Sequence, residues 1–346
     1  MVNPGWSRTE SPFHAGELAI QTRMGIREGM DRQGRRVIRE YLTQQHRQFF
    51  AQLPYLIVGT VDSLGNPWAS ILVGKPGFLS TPSDKPNGQG VSPDHRLTTT
   101  SDASASRASQ RTLKVKALPL RGDPLTDILE AGIDIGFLGI ELHTRRRNRL
   151  NGTVSAINAD GFEVEVKQSF GNCPKYIQAR MYELEEFEPT TSKSVIEISA
   201  LNESAKALIT RSDTFFITTA YQDYSAGAAR GVDVSHRGGK PGFVRINGES
   251  TLTIPDFSGN CHFNTFGNLE VNPKAGLLFP DFKEGDLLYL TGTAEVIWSG
   301  TEIDRYTGAE RLLRFHLDKG LRVQNSLPLR WSSPEFSPQL KNTGSW

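Results

Sequence analysis

Apolar positions in this chain fall mostly into short runs closed off by glycine, proline and small polar residues. The longest helical period lies between Asp31 and Leu53. There Val37, Ile38, Tyr41, Leu42, Phe49 and Phe50 recur at steps of three, four and seven or eight, which predicts a helix stopped by Pro54. Tyr55–Val61 (YLIVGTV) predicts a buried strand, Asp62-Ser-Leu-Gly-Asn-Pro a turn, and Trp68–Val73 the strand that completes a hairpin. Ser80 to Ser109 lacks an apolar period and reads as a flexible insertion. Order is expected again at Arg111–Leu120, Ile133–Leu142, Gly152–Ile157 and Phe162–Val166. Gln168 to Arg180 reads as a polar loop running into a short helix, and Glu183–Pro189 as a linker. The grammar then restarts with a helix at Asn202–Arg211 and a strand at Thr214–Ala220. Short strands follow at Val232–Ser235, Gly242–Ile246, Thr251–Ile254, Ala275–Phe279, Leu287–Leu290 and Thr293–Trp298. Strands this short and dense predict a mainly β protein with an antiparallel barrel in each half.

The halves share sequence as well as rhythm. GKPGF stands at Gly74–Phe78 and again at Gly239–Phe243, 165 residues later. Ile135–Leu138 (IGFL) matches Ala275–Leu278 (AGLL), and Asn151–Val154 (NGTV) matches Thr291–Ala294 (TGTA), both 140 residues apart. The shorter offset fits an insertion confined to the first half. Three blocks in one order predict two copies of a barrel, residues 1–189 and 190–346, packed as an intramolecular pseudo-dimer.

Composition narrows the functional classes. Two halves of a 346-residue chain can each bury a core, and a net charge of +1 gives no global pull toward nucleic acid or membrane. The two cysteines, Cys173 and Cys261, form no metal-ligand spacing. No secretory leader and no membrane-spanning run is visible, so the expectation is a soluble cytoplasmic protein.

The chemistry concentrates in Ser258–Asn268, SGNCHFNTFGN, where Asn260, His262, Asn264, Thr265 and Asn268 supply donors and no carboxylate intervenes. Such a loop suits a phosphate and a flat polar ring. Its counterpart in the first copy, KALPLRGDPLTDILEAG, has instead Asp123, Asp127 and Glu130, which would repel an anion. One anion site per chain is expected. His236 and Arg237 either polarise a ligand carbonyl or are exposed strand-end residues. The basic run Arg145–Arg149 reads as a solvated edge or inter-barrel salt bridges, with a nucleic-acid or partner-binding surface as the rival and a cofactor-proximal role as a third reading.

Helix, hairpin, GKPGFVRI, GNCHFNTFGNLEVNP, LLF and LLYLTGTAEVIW together resemble the pyridoxamine 5′-phosphate oxidase-like, FMN-binding split-barrel family. FHAGE at Phe13–Glu17, LGIELHTRRRNRLNG and QSFGNCPKYIQ resemble a large flavin-binding branch of it. The resemblance implies two tandem FMN-binding split barrels with the flavin between them. It places Phe243, Val244 and Arg245 beside the ring and Pro255 and Asp256 at the strand end. Asn260, Asn264, Thr265 and Asn268 would form the phosphate and ribityl shell, and Gln168–Ser169 would reach in from the other barrel. Where the oxidase proper has an Arg-Lys pair in its phosphate loop, this loop has Asn-Thr, and the oxidase's substrate-binding segment is missing, so pyridoxine chemistry does not carry over. The implied function is an FMN-dependent oxidoreductase acting on a small molecule. NAD(P)H or an electron-transfer partner would be the donor; no GxGxxG follows a strand here, so a pyridine nucleotide would have to enter the flavin cleft directly. The alternatives are a flavin carrier without turnover and a relative binding haem or deazaflavin. A homodimer of the whole chain is left open.

Overall fold

The computed structural model describes residues 5–82, 109–185 and 194–344; the greater part of the Ser80–Ser109 insertion and part of the 183–189 linker lie outside them. Helices α1 (Ala15–Arg23), α2 (Arg27–Val37) and α3 (Gln44–Ala51) precede a seven-stranded antiparallel sheet. Its strands are β1 (Tyr55–Val61), β2 (Pro67–Val73), β3 (Leu79–Ser80), β4 (Thr112–Val115), β5 (Asp134–Glu141), β6 (Arg146–Asn158) and β7 (Gly161–Gly171), with the one-turn α4 (Leu125–Ile128) between β4 and β5. Next come β8 (Tyr182–Leu184), β9 (Val195–Ile198) and α5 (Glu203–Arg211). The second sheet follows: β10 (Thr214–Tyr221), β11 (Gly231–Gly238), β12 (Arg245–Asn247), β13 (Thr251–Asp256), β14 (Lys274–Pro280), β15 (Leu287–Ile297) and β16 (Arg311–Val323). Helix α6 (Asn264–Val271) lies between β13 and β14, and β17 (Leu329–Trp331) pairs with β8.

The first sheet runs β2-β1-β5-β6-β7-β4-β3 and the second β11-β10-β14-β15-β16-β13-β12, with β9 added beside β16. Adding nine to each strand number of the first order gives the second. In both sheets the end strands are consecutive in sequence and joined by GKPGF or its extension. A flat seven-stranded sheet would separate its ends by about 29 Å. The six residue steps from Val73 to Leu79 reach at most about 21 Å, and the seven from Gly238 to Arg245 about 25 Å. Each sheet therefore has to curl toward a barrel split at that seam. The turn is built alike in both: Phe78 N–H donates to Lys75 O and Phe243 N–H to Lys240 O. A side chain at Gly74 or Gly239 would strike the ring of Phe78 or Phe243. The NGTV and TGTA blocks also coincide, since the pairing slips at Asn151/Gly152 and at Thr291/Gly292.

The uninterrupted hydrophobicity of YLIVGTV has a direct cause. Leu56 and Val58 face the core inside the first sheet, while Tyr55 and Ile57 face a third core shared with Phe216, Leu278 and Tyr289 of the second. Two glycines set the distance across this seam. A Cβ at Gly136 would lie 2.2 Å from the carbonyl oxygen of Val232, and one at Gly276 would lie 2.3 Å from that of Pro67. Gly136 and Gly276 occupy matching places, 140 residues apart, as Pro67 and Val232 do at 165. The contact is thus reciprocal, as in an isologous interface.

Several expectations need correction. The helix over Asp31–Leu53 is broken: Ile38 is extended, Arg39 pairs with Ser169 in a β-bridge, and Thr43 caps a new helix by accepting from His46 N–H. No helix forms within 172–181, where the chain instead runs along the second sheet's loops. Conversely, Asn264–Val271 is a helix, buried through Phe266 and Leu269, where a loop was expected. Helix α1 and the long strand β16 are additions that the apolar pattern did not mark.

Candidate functional site

A cleft of about 130 Å³ opens on the seam between the sheets. β6 of the first half supplies Arg147 and Arg149, and the loop after β7 supplies Asn172, Cys173, Lys175 and Tyr176. The second half supplies Ser235, His236 and Arg237 from β11, Asp256 from the end of β13, the loop 257–263, the first turn of α6, and Arg311 from β16.

The cleft is rich in cations. Arg149 is buried and donates to Asp233 Oδ1 at 2.8 Å and to Ser235 Oγ. Arg237 pairs with Asp256, and Arg311 with Asp256 at 3.3 Å and with Glu310. Burial raises the Asp256 carboxyl above its ordinary range, against the pull of Arg237 and Arg311. Arg147 donates to Cys173 O at 2.7 Å, and Lys175 reaches Ser258 O at 3.5 Å. Among the described residues no carboxylate pairs with either. Burial, with Arg149 and Arg237 nearby, lowers the Arg147 guanidinium to about 10. After the ion pairs are matched, two positive charges remain at the cleft.

Unused polar atoms mark the same walls. His236 Nε2, Arg237 Nε, Arg311 Nη1 and Asn172 Nδ2 are buried without a hydrogen-bond partner. Burial first, then Arg147, Arg237 and Arg180, lowers the His236 imidazole well below its ordinary value, so it is neutral at neutral pH. Helix α6 starts with no capping side chain, on Phe263 in the left-handed region at φ 62°. The first turn of a helix leaves its N–H groups without intrahelical partners and carries partial positive charge. Tyr176 (φ 63°) and Cys261 (φ 61°) are also left-handed, and all three line the cleft. Strain of this kind collects at functional sites.

Of the residues singled out from sequence, Phe243, Pro255, Asp256, Asn260, Asn264 and Thr265 line the cleft. Val244 lies in the second sheet's core and Arg245 pairs with Glu302; neither Val244 nor Arg245 lines the cleft. Asn268 is fully buried and donates to Asp233 Oδ2 at 2.9 Å, so it supports the carboxylate that holds Arg149. Gln168 donates to Pro12 O, and Ser169 meets His46 Nδ1 at 2.8 Å; both lie away from the cleft. Arg147, Arg149 and Lys175 are the cations that the first half contributes. The Arg145–Arg149 run is divided, because Arg145 goes to Glu335 and Arg146 covers the Phe49 ring at 5.2 Å. The FHAGE segment sits behind α6. Gly16 lets α1 close on Gly267, Glu17 accepts from Asn264, and His14 stacks on Tyr221 at 4.1 Å. It sets the position of α6.

The matching place in the other half is filled. Ser70, Ile71 and Leu72 occupy the positions of Ser235, His236 and Arg237, and Leu287 and Tyr289 those of Arg147 and Arg149. All but Ser70 and Leu72 belong to the shared core. Where α6 begins in the second half, Asp123 accepts from Ser70 Oγ at 2.6 Å, Leu125 N–H at 2.8 Å and Tyr289 Oη at 3.0 Å. Burial outweighs these bonds and raises the Asp123 carboxyl to about 6. A carboxyl with a raised folded-state pKa is more protonated when folded, so its effect on stability is most favourable below about pH 4 and is lost as pH rises through about 6. Asp123→Asn is therefore expected to be more stable than the parent at pH 7 by roughly 1–3 kcal/mol, and the difference should close below pH 4. Urea unfolding at pH 4 and 7 measures it; an equal difference at both would refute the assignment.

No known family of proteins and no curated protein matches this chain. Among solved structures, HupZ of Group A Streptococcus is 16% identical, with a TM-score of 0.26, over 34% of this chain and 88% of that one. A single-residue variant of the same streptococcal protein is 15% identical, with a TM-score of 0.28, over 35% and 98%. A provisionally assigned pyridoxamine 5′-phosphate oxidase of Lactobacillus delbrueckii is 14% identical, with a TM-score of 0.27, over 36% and 94%. Similarity at this level carries no functional argument. No helix among the described residues is long and apolar enough to cross a membrane, and no cluster of three or more His, Cys, Asp or Glu there could hold a metal.

Proposed function

We propose that the chain is an FMN-binding flavoprotein with one cofactor site, in the cleft between the two sheets, and that it acts as an oxidoreductase on a small molecule. The observation that carries this reading is the pair of unmatched cations, Arg147 and Lys175, in a cleft whose other walls offer aromatic faces and unpaired donors. A phosphate monoester carries close to two negative charges at neutral pH, which is the charge those two residues lack. Arg147, Lys175 and the start of α6 would hold the phosphate. Ser235, His236, Asn260 and Thr265 would hydrogen-bond the polar edges of the ligand, with Tyr176, Phe257 and Phe263 available to its flat face. The bound flavin supplies hydride or electron transfer; the protein binds, orients and shields it. A neutral His236 can donate or accept at Nε2 according to its tautomer, which gives it a means of tuning a ring beside it.

The test is direct. Titration with FMN should quench flavin fluorescence and saturate at one equivalent per chain. A protein that neither takes up FMN nor quenches it would overturn the proposal, and a Soret band would replace it with haem. Bleaching by NADH or NADPH, followed by reoxidation by an added acceptor, separates an enzyme from a carrier. Saturation at two equivalents would contradict the filled counterpart around Asp123 and Tyr289.

A further inference from the structure

The chain's two cysteines occur in the same tripeptide, Gly171-Asn172-Cys173 and Gly259-Asn260-Cys261. The two copies come from different halves, yet both cysteines line the one cleft. The segments that carry them lie side by side in opposite directions. The rings of Tyr176 and Phe257 are 5.1 Å apart, Lys175 Nζ reaches Ser258 O at 3.5 Å, and Asn260 Nδ2 donates to Asn172 Oδ1 at 3.1 Å. Each cysteine directly follows one member of the Asn172–Asn260 contact, so both are carried on touching segments at one cleft. Both thiols are free, Cys261 is exposed and Cys173 partly so. The backbone of Cys261 is held at φ 61°, a conformation few non-glycine residues adopt. Arg147 donates to the carbonyl oxygen of Cys173, which pins this segment to the cation-rich wall of the cleft that both cysteines line.

We infer that Cys173 and Cys261 form a dithiol redox site in which a small-molecule disulfide is reduced and the two halves become joined across the cleft. The thiolate of Cys261, the more exposed, attacks one sulfur of the disulfide. That forms a mixed disulfide and releases the first small thiolate, which takes up a proton. The thiolate of Cys173 then attacks the Cys261 sulfur, forms the intramolecular bond and releases the second small thiolate, also protonated. Two protein thiols and one small disulfide thus become one protein disulfide and two small thiols, and the two electrons pass to the small disulfide. The bond would tie loop 172–176 to loop 257–261 and fix the width of the cleft. None of this depends on which cofactor the cleft holds.

The experiment uses the reduced full-length chain, equilibrated with glutathione and glutathione disulfide, acid-quenched, alkylated and weighed intact. The expected product is a monomer lighter by two hydrogens, with no alkylated cysteine and one peptide pair linking Cys173 to Cys261. Ring closure should be about tenfold or more faster in the folded chain than in concentrated urea, because the fold replaces the closure of a long loop. Cys173→Ser should stop at one glutathione on Cys261. The proposal is overturned if the folded wild-type chain carries two glutathiones, forms disulfide-linked dimers, or keeps both thiols open to alkylation. It is also overturned if folding does not accelerate closure.

Discussion

Replacing Arg147 and Lys175 together by glutamine should lower the affinity for FMN by roughly two to three orders of magnitude while leaving that for riboflavin within about threefold. Hydrogen bonds to a charged group are worth about 1.5–3 kcal/mol each, so losing two costs about 3–6 kcal/mol, and each 1.4 kcal/mol is a factor of ten in affinity. Part of that loss is recovered because glutamine still donates a neutral hydrogen bond. Riboflavin has the ring and ribityl chain but no phosphate, so it reports on everything in the cleft except the charge. The parent's FMN affinity should also weaken with added salt, and the double variant's should do so much less. Arg149 is a poor choice for this test. It sits in a buried pair with Asp233, and truncating one partner of such a pair exposes the other to a cost of several kcal/mol in stability. Arg147 and Lys175 have no carboxylate partner among the described residues, so removing them strands no buried acid. Equal losses for FMN and riboflavin would mean that the two cations shape the cleft without binding phosphate.

These two residues also show where the sequence was legible and where it was not. The repeated GKPGF, IGFL/AGLL and NGTV/TGTA blocks are backbone devices: a turn, a glycine contact and a slip in pairing. Backbone devices repeat because the fold repeats, and all three fall at matching places in the two sheets. The donor-rich loop marked the second half's side of the cleft for the same reason, a dense local cluster of Asn and Thr. The opposite wall was harder to read. Arg147 and Lys175 lie in two separate segments that the pairing of β6 with β7 brings together, Asn148 standing opposite Gly171 and Asn172 N–H donating to Arg147 O. In sequence Arg147 is one of several arginines in a run that resembles a solvated edge; it takes alternation along β6 to send Arg147 and Arg149 into the seam and Arg146 onto Phe49. Gln168–Ser169 lies away from the cleft for a different reason. The pair is polar, but its partners are Pro12, just ahead of α1, and His46 on α3, and no local pattern in the sequence shows which distant segment will meet a polar pair. Asn268 shows a third limit, since an amide that supports a binding residue reads the same in sequence as one that binds.

Alanine at Gly136 or at Gly276 should destabilise the fold about equally, by roughly 3 kcal/mol or more, yet only Gly136→Ala should also weaken the cleft. The added Cβ would stand 2.2 Å from Val232 O in one case and 2.3 Å from Pro67 O in the other. A contact that short against backbone cannot be relieved by turning a side chain, so the sheets must part by about 1 Å along a close-packed seam. The reciprocity of the seam makes the two costs similar. What lies beyond each contact is different. Val232 is followed by Asp233, which Arg149, Asn151 and Asn268 all hold, and Arg149 lines the cleft. Pro67 is followed by Trp68, which packs in the shared core on the side where Tyr289 and Asp123 fill the corresponding space. Displacing β11 from β5 therefore moves the wall of the cleft, while displacing β2 from β14 moves a plugged site. Urea unfolding reads the first quantity and FMN titration of the folded variants reads the second. Gly29→Ala serves as the control, because nothing lies within 4 Å of its added methyl and the helical position should gain about 0.5–1 kcal/mol. A chain of this length need not unfold in a single step, so the midpoint of each transition is compared separately. Both should fall in both seam variants, because each sheet buries part of its surface against the other. If FMN affinity dropped equally in the two, the cleft would depend on the seam as a whole, and the division into one open and one filled site would be wrong.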